Sequence, residues 1–265
     1  MNEITEGHPE RRVLITRSEP SASALSRALE AEGFASEVAP LVEIERVAAG
    51  ADELRALAEQ QVVIFTSAHA VEHAFALIDC DRILLPTEAA WIAIGAATAK
   101  ALRGRAIQAS TPDAETSEGV LSMPMLADVD RRRVLIVGGA GGRRTLDEGL
   151  RARGAALTRA TVYRRRAAVA ERALGAYRHG RLAAAVVSSA ESGRVLARAL
   201  DVARAEGRFD ASSAAAARDV PVVVPSERVA AALAALGFRR TIVSRGASAA
   251  AVIAALREIH IERTP

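Results

Sequence analysis

The residues best suited to chemistry in this 265-residue chain are hydroxyls, arginines and glycines that directly follow short apolar runs. Helix N-termini at such places offer unpaired backbone N–H groups and partial positive charge, which suit a ligand with several carboxylates or phosphates. Helix capping is the simpler interpretation of any single serine or threonine. The set comprises Thr16, Arg17, Thr66, Ser67, Thr98, Ser188, Ser189, Ser226, Ser244 and Arg245.

The segment GGAGGRR, residues 138–144, adds a glycine-rich loop after another apolar run. It lacks the Lys-Ser/Thr pair of a nucleoside-triphosphate loop, and its glycines are not spaced as in a dinucleotide fingerprint. Gly139, Gly141 and Gly142 would still let the backbone approach an anion, and Arg143 could bind a carboxylate through two hydrogen bonds. The alternative is a tight turn beside a solvated arginine.

Tyr163, one of two tyrosines, lies in an extended segment and precedes three arginines. A phenol there could donate a proton to a leaving hydroxyl while the arginines hold anions. From the residues alone, a half-buried strand tyrosine is the simpler interpretation.

His69, Glu72 and His73 spell HAVEH, the spacing of an inverted zinc-protease motif. The motif begins a short helix directly after VVIFTS, and the corresponding segment SSAESG later in the chain lacks it. We therefore interpret it as a solvated helix face and expect no metal site.

Short β-branched runs, each followed by an alanine-rich amphipathic segment, recur along the whole chain. Buried strands that lead into helices are typical of parallel α/β sheets. Gly33, Gly154 and Gly237 stand where helices are expected to end. The predicted strands are RVLIT at 12, VVIFT at 62, WIAIG at 91, RVLIV at 133, AAVVS at 184, VVVPS at 222 and TIVS at 241.

The chain contains an internal duplication. The unit 13–33 has the same length and apolar spacing as the unit 134–154, and VVIFTSAHAV from Val62 corresponds to AAVVSSAESG from Ala184. An extended stretch at 38–47 follows the unit 13–33, and another at 157–166 follows the unit 134–154. Both are predicted to be connecting strands. Two α/β halves with their active loops at the carboxyl ends of the strands are the expected arrangement. The occurrence of the polar set in both halves favours ligand binding over capping.

Composition narrows the class of protein. The length accommodates two domains, and an aromatic content of 3% is low for a nucleobase-stacking surface. The net charge of +3 comes from arginines scattered among acids, so no nucleic-acid partner is expected. The single Cys80 cannot form an internal disulfide, and the chain lacks a signal-peptide pattern or a membrane-length apolar run. A cytoplasmic, monomeric protein without a membrane partner is expected.

In order and spacing, the motifs resemble the uroporphyrinogen-III synthase family over residues 12–256. These motifs are VLITR, APLVEIE, VVIFTSAHAV, IAIGAATAKAL, SEGVL, LIVGGAGGRRTLDEGLRARG, TVYRR and VVVPSERVAAALAALGF. Three departures are Ser18 in place of a usual proline, Gly138 in place of a frequent arginine, and VSSAES in place of FTSPSA.

The resemblance implies two parallel-sheet, flavodoxin-like α/β domains joined by a two-stranded β ladder that acts as a hinge. One domain would comprise 1–38 plus 167–265 and the other 46–158, with 39–45 and 159–166 as connecting strands. It implies a cofactor-free lyase reaction in which hydroxymethylbilane, a polycarboxylate tetrapyrrole, loses water and cyclises to uroporphyrinogen III with its terminal pyrrole inverted.

The resemblance also assigns roles to single residues. Tyr163 corresponds to the tyrosine proposed to assist departure of the hydroxyl. The expected substrate-binding residues are Arg17, Ser67, Thr98, Gly139, Gly141, Gly142, Arg143, Ser188, Ser189 and Ser226. The alternative function is a non-catalytic two-domain sensor that closes on an anionic small molecule, because the same loops would serve it.

Overall fold

The computed structural model describes residues 12–142, 144–178 and 182–261. They form two compact units. The central unit is Ile44–Arg165, and the discontinuous unit is built from the described residues before and after it. Each unit is organised around its own five-stranded sheet.

The strands coincide with the apolar runs. They are β1 Arg12–Ile15, β2 Ser36–Val38, β3 Val42–Arg46, β4 Val62–Phe65, β5 Ala90–Ala93, β6 Arg133–Gly139, β7 Ala156–Ala167, β8 Leu182–Val186, β9 Val222–Val224 and β10 Thr241–Val243. All seven strands predicted from the apolar runs are confirmed, and the extended stretches at 38–47 and 157–166 contain β3 and most of β7. Strand β2, Ser36–Val38, was not predicted.

The helices follow the strands as the alanine-rich segments predict. Gly33, Gly154 and Gly237 end three of them with φ of 81°, 80° and 86°, a left-handed conformation that glycine adopts without a Cβ clash. The helices are α1 Ser21–Ala31, α2 Ala51–Arg55, α3 Ala68–Asp81, α4 Ala96–Arg103, α5 Ser117–Leu121, α6 Thr145–Ala152, α7 Glu171–Arg178, α8 Ala190–Ala205, α9 Ala211–Asp219, α10 Glu227–Ala235 and α11 Ala249–Ile261.

The discontinuous unit contains the sheet β10-β9-β8-β1-β2, whose strands are all parallel. Helices cover both faces, so the strands are apolar on both sides. Leu14 packs with α7 to α10 on one face. Val13 and Ile15 pack with α1 and α11 on the other.

The central unit contains the sheet β3-β7-β6-β4-β5. Val63 and Phe65 of β4 pack under α3 and α4, whereas Val62 and Ile64 pack under α5 and α6. This alternation is the two-residue period of a strand that is covered on both faces. The fold class is therefore the predicted one, α/β with two mostly parallel sheets. No helix in the described part of the chain is long and apolar enough to span a membrane.

The sheet orders confirm the duplication. The sequence equates β1 with β6 and β8 with β4, and both pairs occupy the same places in the strand orders β9-β8-β1-β2 and β5-β4-β6-β7. Leu25 and Leu146, which correspond in the two copies, are both buried. The two units are thus copies of one α/β design with different chain connections.

Strand β7 is the longest strand and pairs with β6 from Ala156 to Tyr163. Its other edge faces β3, where Arg164 contacts Glu45 and Arg166 contacts Glu43. That register is antiparallel, because residue numbers fall along β3 as they rise along β7. The boundaries between the two units lie within β3 and β7. The expected connecting segments 39–45 and 159–166 overlap these strands.

Candidate functional site

The first group of predicted site residues meets at the carboxyl ends of β4 and β6. Ser67 follows β4 and caps α3, since its Oγ accepts a hydrogen bond from the Ala70 N–H at 3.0 Å. The same oxygen lies 3.0 Å from the Tyr163 hydroxyl. A predicted catalytic residue and a predicted binding residue are therefore hydrogen-bonded to each other.

Gly139 is the reason the Tyr163 ring can lie where it does. The two residues are register partners on β6 and β7, and a Cβ on Gly139 would lie 2.5 Å from the phenol Cζ. No side chain larger than hydrogen fits that space without moving the ring. Tyr163 itself is only 3% exposed. Gly139 thus serves to position the tyrosine.

Two histidines of α3 complete the surroundings of Tyr163. The ring centroid of His69 is 6.0 Å from that of Tyr163, and the centroid of His73 is 5.9 Å away. Both side chains are partly buried, and His73 Nδ1 is buried without a hydrogen-bond partner. The interpretation of HAVEH as a solvated helix face is therefore wrong for the histidines, because both rings lie beside Tyr163 of β7. Only Glu72 is exposed.

A second group lines a polar cavity of about 560 Å³ at the glycine-rich loop. Gly139, Gly141 and Gly142 form part of its wall, as does the beginning of α6. Gly141 has a φ of 73°, which turns the chain with no side chain to obstruct the opening. Arg143 lies outside the described residues. The remaining lining residues are Ala140, Arg144, Asp147, Glu148, Arg151, Arg159 and Thr161.

An ion pair between Arg159 and Asp147 lies in the wall of this cavity. Arg159 Nε donates to Asp147 Oδ1 at 2.7 Å, and Arg159 Nη2 donates to Asp147 Oδ2. Burial alone would raise the pKa of Asp147, but the hydrogen bonds and charge of Arg159 outweigh it and lower that pKa. Arg144 and Arg151 add two positive charges to the same wall and Glu148 adds one negative charge, so the charged lining residues sum to one positive charge. The cavity is suited to a carboxylate or phosphate group.

Sequence patterns did not predict Arg144, Arg151 and Arg159 as site residues. These arginines lie in or next to segments, β7 and α6, whose sequence patterns indicate only a strand and a helix. The signal that could have found Arg159 is its place in an alternating strand. Arginine there points to one face of the sheet, and a charged side chain on a covered face requires a partner.

Thr98 is placed differently from the expectation. It is buried on α4, 3% exposed. The helix terminus that was expected to present N–H groups to a ligand is already capped, since Ala96 N donates to Glu115 Oε1 at 2.7 Å. A carboxylate of the chain itself therefore binds at the N-terminus of α4.

The discontinuous unit carries the other predicted binding residues at the carboxyl ends of its strands. Ser189 caps α8 by accepting from Ser192 N at 3.1 Å. Ser226 begins α10 but makes no side-chain capping bond. The half-buried Arg17 follows β1, where burial lowers its pKa and its Nε is buried without a hydrogen-bond partner. Ser188 lies next to Ser189 at the end of β8 and is partly buried.

Each unit thus contains a mostly parallel sheet covered by helices, with polar, anion-compatible loops at the carboxyl ends of its parallel strands. This arrangement defines the class of open α/β ligand-binding proteins, in which such edges form the site. Similarity to known proteins identifies the family within that class.

A family model described as uroporphyrinogen-III synthase HemD matches residues 23–254. The chain belongs to the uroporphyrinogen-III synthase family, as the ordered motifs indicated. It is 37% identical over 159 residues to the uroporphyrinogen-III synthase of Salmonella typhimurium and 33% identical over 158 residues to that of Escherichia coli K12. Each alignment covers 58% of this chain and 64% of the relative.

Solved structures support the fold. A mutant uroporphyrinogen III synthase from Thermus thermophilus is 20% identical and superposes with a TM-score of 0.62, covering 96% of this chain and all of that one. The uroporphyrinogen-III synthetase of Helicobacter pylori 26695 is 13% identical with a TM-score of 0.54, again over 96% of this chain and all of the other. These similarities show a shared two-sheet α/β architecture.

Proposed function

We propose that this chain is a uroporphyrinogen-III synthase, a cofactor-independent lyase that cyclises hydroxymethylbilane to uroporphyrinogen III with loss of water. The observation that carries the proposal is the hydrogen bond between Tyr163 and Ser67 at the carboxyl edge of the central sheet. Membership of the family supports it. We further propose that the protein acts as a cytoplasmic monomer in tetrapyrrole biosynthesis.

In this mechanism Tyr163 assists departure of the terminal hydroxyl. Its O–H donates a proton to the departing hydroxyl as the C–O bond breaks, so that water leaves and an electrophilic azafulvenium cation and a tyrosinate remain. The proton that the substrate loses after ring closure returns to the tyrosinate and restores the phenol. Either hydroxyl can be the donor in the hydrogen bond between Ser67 and Tyr163. Ser67, whose Oγ accepts from the Ala70 N–H, can therefore donate to the phenol oxygen, orient the ring and leave the Tyr163 O–H for the substrate hydroxyl.

The remaining residues hold the carboxylate arms of the substrate. The cavity walled by Gly139, Gly141 and Gly142 supplies backbone groups and guanidinium charge for one arm. We propose that Arg17, Ser188, Ser189 and Ser226 bind carboxylates at the discontinuous unit. The positions in which the protein holds the two ends of the linear substrate decide which ring carbon is attacked. This is a proximity effect.

The alternative is a sensor that binds an anionic small molecule without turnover. The polar cavity of the central unit would serve such a protein equally well. Turnover separates the two functions.

The assay supplies hydroxymethylbilane to the purified chain, oxidises the products and separates the porphyrin isomers by chromatography. We expect isomer III well above the no-protein control. Formation of isomer I alone would contradict the proposed synthase activity, and the sensor would then be the remaining candidate function.

Replacement of Tyr163 by Phe tests the proton donor. We expect kcat to fall by about 100-fold or more, the usual contribution of a general acid. Tyr177→Phe is the matched control, because its buried hydroxyl has no hydrogen-bond partner and its loss removes no polar contact. A Tyr163→Phe variant with the rate of the Tyr177→Phe variant would remove Tyr163 from the mechanism.

A further inference from the structure

His69, Glu72 and His73 form a compact cluster on the first turns of α3. Each offers one ligand atom, and these atoms all lie within 4.8 Å of one another. The i, i+3, i+4 spacing places the three side chains on one face of the helix. Two imidazoles and one carboxylate are the ligand types that zinc uses in sites with an open fourth position.

The imidazole nitrogens of His69 and His73 are not used in hydrogen bonds to the backbone of the described residues. His73 Nδ1 is buried without a partner, which is a cost that a bound cation would remove. His69 Nδ1 lies 3.8 Å from the Glu72 carboxylate, which is beyond hydrogen-bond distance. No backbone carbonyl accepts from either ring among the contacts of the described residues.

A metal ion binds the neutral form of an imidazole. The charged groups that act on the two rings are Glu72, on the same helix, and two arginines, Arg165 near His69 and Arg46 near His73. The two arginines also repel a cation, so the affinity rests on the imidazoles and on the Glu72 charge.

We propose that His69, Glu72 and His73 form a binding site for a divalent transition-metal ion of the zinc class, directly against Tyr163. The site adjoins the proposed proton donor, but the proposed cyclisation uses no metal, so metal binding and cyclisation are tested by separate experiments. Tyr163 packs beside both ligand rings and restricts their orientation. Three protein ligands leave a fourth position of the ion for water or an anionic ligand atom.

The test is a titration of the untagged, metal-stripped chain with Zn²⁺ by calorimetry, and with Co²⁺ by visible absorption. It is done in a Cys80→Ser background, because Cys80 is an exposed thiol on the same helix that could itself bind these ions. His69→Gln and His73→Gln each remove one ligand, and Glu72→Gln removes the charge. His260→Gln is the control, a histidine distant in sequence.

We expect one ion per chain and a loss of affinity of about 10-fold or more in either histidine variant, because loss of an outer-shell partner alone costs about 10- to 100-fold and loss of a direct ligand should cost no less. The control variant should bind like the Cys80→Ser parent. Histidine side-chain NMR of the unsubstituted chain should show two of its five imidazoles shifted by Zn²⁺. Loss of binding in Cys80→Ser alone, or unchanged affinity in a folded His69→Gln/His73→Gln double variant, would overturn the proposal.

Discussion

Tyr163 is the side chain around which the polar groups of the central unit gather. Ser67 bonds its hydroxyl, Gly139 makes room for its ring, and His69 and His73 lie beside it. None of these four residues is near Tyr163 in sequence. The ring is therefore held by tertiary contacts, and each contact can be tested separately.

Gly139→Ala should disturb the tyrosine directly. The new Cβ would lie 2.5 Å from the phenol Cζ, so the ring must move, and overpacking of this kind costs about 1–3 kcal/mol. Gly142→Ala is the control, because its nearest neighbour would be 3.7 Å away. Thermal and urea unfolding measure both. Equal stability of the two variants would show that the ring moves freely.

Asp147→Asn should destabilise the central unit. Removal of one partner from a buried ion pair costs about 3–5 kcal/mol, and we expect about 2 kcal/mol because the Arg159 side chain is 24% exposed. Asp219→Asn is the control, since its pair with Arg239 is exposed and should change stability by less than about 0.5 kcal/mol.

The effect of Asp147 should depend on pH in a defined direction. Its folded pKa lies below the ordinary value of 3.8, so the unfolded chain binds the proton more readily. The stabilisation is therefore complete above about pH 4 and is lost as pH falls through the folded pKa. The stability difference between parent and Asp147→Asn, measured by urea unfolding, should shrink below pH 4. A constant difference would contradict the assignment.

At the scale of elements, the starts of the helices divide the hydroxyl set into two kinds. Ser67 and Ser189 cap their helices through the side chain, whereas Ser226 occupies the same position without a capping bond. The strand-to-helix turns are equivalent in the duplication. Only the geometry distinguishes the hydroxyl engaged in capping from the one available to a ligand.

Ser189→Ala should therefore cost about 1 kcal/mol of stability, the usual value for a lost N-cap. Ser226→Ala should be nearly neutral, because no capping bond is lost. Urea denaturation curves of the two variants give the comparison. Similar losses in both would mean that Ser226 caps α10 in solution. The substrate KM of Ser226→Ala, by contrast, should rise if the proposed carboxylate contact is correct.

At the scale of the whole molecule, the chain passes through the discontinuous unit twice. Strand β1 lies between β8 and β2 at the interior of that sheet, although β8 is encoded about 170 residues later. The central unit, by contrast, is one continuous stretch. The central unit can therefore form from one continuous segment, whereas the discontinuous unit needs both the N-terminal and the C-terminal segments of the chain.

A fragment of residues 42–167 retains β3 and β7 whole and should fold alone. We expect α/β circular dichroism and a cooperative unfolding transition, because the core of the central unit comes from within it. A chain lacking residues 1–41 should lose the discontinuous unit, since a central strand would be missing. A non-cooperative 42–167 fragment, or a fully folded truncated chain, would contradict this division.

The sequence alone determined nine of the ten strands, three helix ends and the duplication, because apolar period, glycine position and repeat length are local properties. It also indicated the family through motif order. The strand order β10-β9-β8-β1-β2, the meeting of Tyr163 with Ser67 and the pairing of Arg159 with Asp147 were decided by tertiary structure. The physical reason is that these contacts join residues 12 to 170 positions apart, whose proximity depends on sheet register and helix packing rather than on local preference.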